Sequence, residues 1–147
     1  MKKKIYVLAV GMVLLLLITG CNRNAAEMIK GGSVQVDEEA GELTFTAIVT
    51  DKELEPGTPY QTRFFLEGNT LKEAVGTDLV YTDKELKSRK EKEGDVIQEV
   101  TVPLKNKETL KQIMKDIRDK DKESVTIEIV NEKGLIDDRT IHELKEN

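Results

Sequence analysis

His142 is the only histidine of the chain and Cys21 the only cysteine, and these two counts bound its chemistry. Zinc sites of the Cys₄ or Cys₂His₂ type, an intrachain disulfide and a histidine cluster all need more such residues than are present. A nucleophile activated by His142 has to be Ser33, Ser88 or Ser124, and none stands in the G-x-S-x-G turn that presents a reactive serine. Carboxylates are plentiful: Asp116, Asp119, Asp121 and Glu123 gather at the end of a helix-period segment, and Asp137 and Asp138 sit in the last hairpin. A calcium site takes about six to eight oxygens on a turn built around glycine. Here Lys120 and Lys122 interrupt the acids, and no D-x-[DN]-x-[DN]-G loop is present. A glycosidase pair needs only two carboxylates, but a sugar cleft also calls for stacking aromatics, and the chain has no tryptophan. No catalytic residue, metal site or cofactor is therefore assigned, and the chain reads as a non-enzymatic binding or accessory module, with an inhibitor or exclusion-type protein as the alternative and a small envelope hydrolase behind both.

Two groups of residues suit binding better. Lys84, Lys87, Arg89, Lys90 and Lys92 form a basic cluster diluted by Asp83, Glu85, Glu91 and Glu93. Such a mixture makes a solvated loop. Its functional reading is a loop that docks electrostatically on an anionic wall polymer or a partner protein. Phe65 shares a strand face with Gln61, Arg63 and Glu67. An aromatic among polar neighbours either anchors an interface or is covered by a loop or helix. Phe65, Arg63, Lys84, Lys87, Arg89 and Lys90 are thus the candidate interaction residues.

The amino end decides where such a surface is displayed. Lys2, Lys3 and Lys4 precede an uncharged run over residues 5–18 that includes Leu14-Leu15-Leu16-Leu17, and Thr19-Gly20-Cys21 follows. This is the basic, apolar and small-residue layout of an export signal, too short for a spanning helix of about 20 residues. The stretch Ile18-Thr19-Gly20-Cys21 resembles the lipobox of bacterial prolipoproteins, with Ile18 where leucine is usual. The resemblance covers residues 1–21 only. It implies cleavage between Gly20 and Cys21, a diacylglyceryl group on the Cys21 sulfur, and residence on the outer face of the cytoplasmic membrane. Two acyl chains hold a membrane stably where one does not. Richness in Lys, Ile and Glu without a disulfide favours a single-membrane, Gram-positive-type envelope.

Removing residues 1–20 from 147 leaves 127, enough for one domain with a modest core. It takes three lysines from the 23 basic residues and leaves 20 against 28 acidic ones, a net charge near −8. A domain of that sign is a poor nucleic-acid binder and is not drawn to anionic lipid. The expected partners are the membrane, through the lipid on Cys21, and a protein or cell-wall component.

Residues 21–32 end in Gly31-Gly32 and read as a flexible tether, with the domain filling residues 33–147. Within it the apolar period is mostly two: Val34 and Val36; Leu43, Phe45, Ala47 and Val49; Thr62, Phe64 and Leu66; Val96, Val100 and Val102; Val125, Ile127 and Ile129. One segment has the helical period, with Leu110, Ile113, Met114 and Ile117 and a candidate N-cap at Asn106. The fold expected is mostly β, a small immunoglobulin-like sandwich with one crossover helix near residues 107–119. No core Trp or Cys pair supports more than that architecture. The alternative is an α+β arrangement in which the helix covers Ile48, Phe65, Ile97 and Val130 on the outside of an antiparallel sheet.

Overall fold

The computed structural model describes residues 24–91, 93–119 and 124–146. The signal segment with Gly20 and Cys21, and also Lys92, Asp121 and Glu123, lies outside the described residues. Nine strands and two helices follow in order: β1 Ile29–Asp37, β2 Glu42–Val49, β3 Pro59–Glu67, α1 Asn69–Val75, β4 Leu79–Tyr81, β5 Leu86–Lys87, β6 Val96–Pro103, α2 Leu110–Asp119, β7 Ser124–Asn131, β8 Gly134–Ile141 and β9 Leu144–Glu146. They build two sheets, one ordered β6-β2-β1-β9 and one ordered β4-β3-β7-β8, with β5 paired to the start of β3.

Alternation explains why these sheets face each other. β2 buries Leu43, Phe45, Ala47 and Val49, while β3 buries Tyr60, Thr62, Phe64 and Leu66. β7 adds Val125, Ile127 and Ile129, and all of the apolar ones join one continuous core. At its centre the Phe45 and Phe64 rings lie 5.4 Å apart. The sandwich expected from the sequence is the one observed.

The helix-covered sheet is not. Leu110, Ile113, Met114 and Ile117 of α2 are buried in the same core as both sheets, beside β7 and β9. Ile97 is left 64% exposed on the outer face of β6. The helix therefore closes one end of the sandwich rather than one of its faces. It opens with a 3₁₀ turn, Lys107–Thr109, where the Asn106 side chain accepts from the Glu108 amide as an N-cap. The chain between β3 and the basic cluster folds into α1 and β4. Gly76 ends α1 in the left-handed conformation, at φ 90°.

The second correction concerns the tether. β1 starts at Ile29, and Met28 and Ile29 are fully buried. Chain order begins earlier still. Asn24 donates its side-chain amide to the Leu135 carbonyl, the Ala26 amide donates to Ile136, and the Glu27 amide donates to the Glu53 carboxylate. The glycine pair has a different purpose from a linker. The register between β1 and β2 shifts between Ile29 and Gly31, and a Cβ on Gly32 would stand 2.5 Å from both the Thr46 carbonyl oxygen and Ile127 Cδ1. Glycine marks a bulge and a close approach of the sheets as readily as it marks a hinge.

Gly32→Ala is expected to lose about 1–3 kcal/mol of unfolding free energy, the usual cost of overpacking. Gly31→Ala, with open space around its Cβ position, should stay within about 1 kcal/mol of wild type. Urea denaturation of both variants checks this. Equal stabilities would restore the tether reading.

Candidate functional site

The outer face of the five-stranded sheet holds the first two candidates. β3 turns Gln61, Arg63 and Phe65 outward, because their neighbours Thr62, Phe64 and Leu66 fill the core. Strand register then assembles two rows across the sheet. One runs Tyr81, Arg63, Glu128, Asp138, and the next runs Leu79, Phe65, Thr126, Thr140. Arg63 Nε donates to Glu128 Oε2, its Nη1 lies 3.4 Å from Tyr81 Oη, and the guanidinium carbon stands 6.0 Å from the Tyr81 ring centre. Lys72 of α1 places its ammonium 5.8 Å from the Phe65 ring centre, a cation–π contact. Tyr81 remains 46% exposed and Phe65 is half-buried. Partial burial works against the Arg63 charge, but hydrogen bonds to Glu128 and Tyr81 outweigh it and raise its pKa. The result is an apolar, aromatic side (Leu79, Phe65, Tyr81) bordering an acidic side (Glu128, Asp138), with Arg63 held at the junction. Lys72 of α1 lies over part of the Phe65 ring, the rest of which stays partly exposed.

The basic cluster is split. Lys84, Lys87 and Lys90 are exposed, as a docking loop requires. Arg89 belongs elsewhere. Its backbone amide and Nε donate to Asp51 Oδ2, and its Nη2 donates to Asp51 Oδ1 at 2.9 Å. Nη1 and Nη2 also donate to the carbonyls of Glu93 and Gly94. The Asp51 side chain has no solvent exposure, so its charge requires this partner. Arg89 is thus corrected from a docking residue to the bolt that fixes the loop onto the β2–β3 connection. Its side-chain hydrogen bond to Asp51 holds the carboxyl below its ordinary pKa, while burial opposes the shift. Tyr60, next to the pair and buried, is pushed up by its burial and then by the Asp51 charge.

Among the described residues the catalytic candidates are not brought together. His142 is exposed at the break between β8 and β9, and among the described residues no hydrogen bond joins it to a serine. Ser88 donates to the Glu55 carbonyl and accepts from the Thr58 amide, and Ser124 donates to Glu67. Ser33 is buried in β1. Asp116 accepts from Gln112, and Asp119 is exposed at the end of α2. Asp137 Oδ2 accepts from the amides of Met28 and Ile29, each at 2.8 Å, while Asp138 faces out. No group of three or more metal-ligating side chains occurs among the described residues. A cleft of about 320 Å³ opens between Asn24–Ala26, Glu53–Glu55, Thr58, Asn131 and Lys133. It contains no histidine, cysteine or serine, and the Glu53 carboxylate in it is engaged with the Glu27 amide.

Sequence reasoning missed Tyr81 and Glu128. Glu128 was within reach, being the polar residue between inward Ile127 and Ile129, but only the register shows that it meets Arg63. Asp51 gave no signal, since buried and exposed aspartates look alike in a loop. Comparison with protein-family models, curated proteins and solved structures finds no match. No helix among the described residues is long and apolar enough to cross a membrane.

The Asp51–Arg89 pair carries a pH signature. A carboxyl whose folded pKa is depressed adds stability that is whole above its ordinary unfolded pKa and drains away as pH falls through the lower folded value. Wild type should therefore lose stability in acid more steeply than Asp51→Asn, the two curves converging as the carboxyl protonates. Thermal melts from neutral pH downward read this directly, and parallel curves would mean that the pair does not set the acid limb.

Proposed function

We propose that the chain is a bacterial surface lipoprotein, anchored through Cys21 on the outer face of the cytoplasmic membrane, whose domain is a non-catalytic binding module. What carries the reading is a conjunction. The only cysteine of the chain falls at the end of an export-type apolar run, behind Ile18-Thr19-Gly20. An ordered domain starts within three residues of it. That domain presents an aromatic–arginine face.

The face centred on Arg63, Phe65 and Tyr81 is the binding surface. Aromatic and arginine side chains dominate interface energetics because they bring large contact area with little entropy to lose. The pair to Glu128 restrains Arg63 before binding, which lowers the ordering cost of association. A module of this kind acts as an accessory to an envelope protein, or as an inhibitor that occludes one. The exposed Lys84, Lys87 and Lys90 add steering at the loop end of the domain.

Metabolic labelling with palmitate should mark the wild-type chain and leave Cys21→Ala unmarked, with only the former retained by membranes after salt washing. For the binding face, Phe65→Ala and Tyr81→Ala are each expected to reduce partner recovery from detergent-solubilised membranes about tenfold, equivalent to about 1.4 kcal/mol. Both should keep a wild-type unfolding midpoint. Unchanged partners in both variants would remove the assigned site.

A further inference from the structure

The first described residues are held firmly, and they are held at one end of the sandwich. Asn24, Ala26, Glu27, Met28 and Ile29 are tied to Leu135, Ile136, Glu53 and Asp137. The strands fix which end this is. β1 leaves it from Ile29, β2 returns to it at Val49, β3 leaves again at Pro59, and β7 returns at Asn131. The loops gathered there are the β2–β3 connection, the segment around β5 and the β7–β8 turn. The β1–β2 turn, α1 and α2 occupy the opposite end, where the Leu104 amide meets Gly41 and the Lys105 amide meets Ala74.

Only three peptide steps separate Cys21 from Asn24. Fully stretched they reach about 11 Å. A domain leashed this tightly cannot roam the space above a bilayer. It stands on its loop end, and its net negative charge keeps its sides off an anionic leaflet. At about 3.3 Å per residue, Arg63 and Phe65 lie about 13 and 20 Å along β3 from Pro59. The aromatic–arginine face is thus upright and held within about 30 Å of the headgroups.

We infer that this short leash stands the domain on its β2–β3 and β7–β8 loops, so that the Arg63–Phe65–Tyr81 face docks sideways on the extracytoplasmic part of another protein held in the same membrane. The inference rests on lipidation of Cys21. The complementary surface is apolar opposite Leu79, Phe65 and Tyr81, and basic opposite Glu128 and Asp138. A soluble protein or a wall polymer farther out would be met by the helical end instead.

Full-length protein in native membranes provides the test. Because Cys21 is acylated, a cysteine introduced as Lys133→Cys or Glu39→Cys takes a thiol dye alone. Energy transfer to acceptor lipids should be severalfold stronger from position 133 than from position 39, some 30 Å farther out. Inserting 20 Gly/Ser residues after Arg23, a coil of about 25 Å, should erase most of that difference. Equal transfer with the native leash would overturn the orientation. A photoreactive benzoylphenylalanine at Tyr81 should crosslink an integral membrane protein, while the same group at Glu39 should not. Products at position 81 containing only soluble protein or peptidoglycan, or no product there, would overturn the partner class. Absence of palmitate on the labelled chain would instead defeat the anchor itself, and is scored separately.

Discussion

The structure depends on how the chain enters it. Asp137 turns one carboxylate oxygen toward two consecutive amides, those of Met28 and Ile29, just where β1 begins. Hydrogen bonds to a charged acceptor are worth about 1.5–3 kcal/mol each. They act here together with the Thr50 amide on the Met28 carbonyl and the Arg139 guanidinium on Lys30. Residues from opposite ends of the chain, more than 100 positions apart, are thereby locked side by side. Met28 can be fully buried because its backbone is satisfied on both sides. The same clamp brings the first described residue, Asn24, to within three positions of Cys21, so under the proposed anchoring the packing of the sandwich also bounds how far the domain would stand from the membrane.

A second constraint is electrostatic. Asp51 is a fully covered carboxylate, and a buried charge without a partner is prohibitive. Arg89 answers it with three donors and spends two more on the carbonyls of Glu93 and Gly94. This contact joins the β5–β3 pairing and the Ser88 hydrogen bonds in fixing the path of the highly charged stretch after β4. Lys84, Lys87 and Lys90 are exposed, whereas the arginine can chelate a carboxylate with a planar fork.

Much of the fold was legible because strand period is a strong signal when one face is buried. Leu43, Phe45, Ala47 and Val49 could hardly face anywhere but a core, and the 3.6 period of Leu110, Ile113, Met114 and Ile117 isolated the helix. What it packs against was not legible, since an apolar stripe fits a sheet face or a sandwich end equally well. Gly31-Gly32 misled for a similar reason: only the register shift against β2 and the 2.5 Å approach of Thr46 to Gly32 distinguish a bulged strand from a linker. At the candidate site, Arg63 and Phe65 followed from alternation on β3. Tyr81 and Glu128 needed the register, a long-range property that no local pattern encodes. Arg89 was misplaced because a charge run does not reveal which member has a buried counterpart.

The size of the outer sheet face bears on how the proposed binding module would work. Four strands about 4.8 Å apart, along a nine-residue β3, offer an area of about 500 Å². Stable complexes bury about 800 Å² per partner, so a contact of this size on its own belongs to the weak class. Weak contacts suffice where both partners share one membrane, because tethering raises their effective concentration without adding any contact. Under the anchoring proposed above, the small aromatic–arginine surface and the lipid on Cys21 are complementary: the anchor would supply the encounter frequency that the limited area cannot, and the fixed Arg63–Glu128 pair would leave the aromatic edge to decide which neighbour is held.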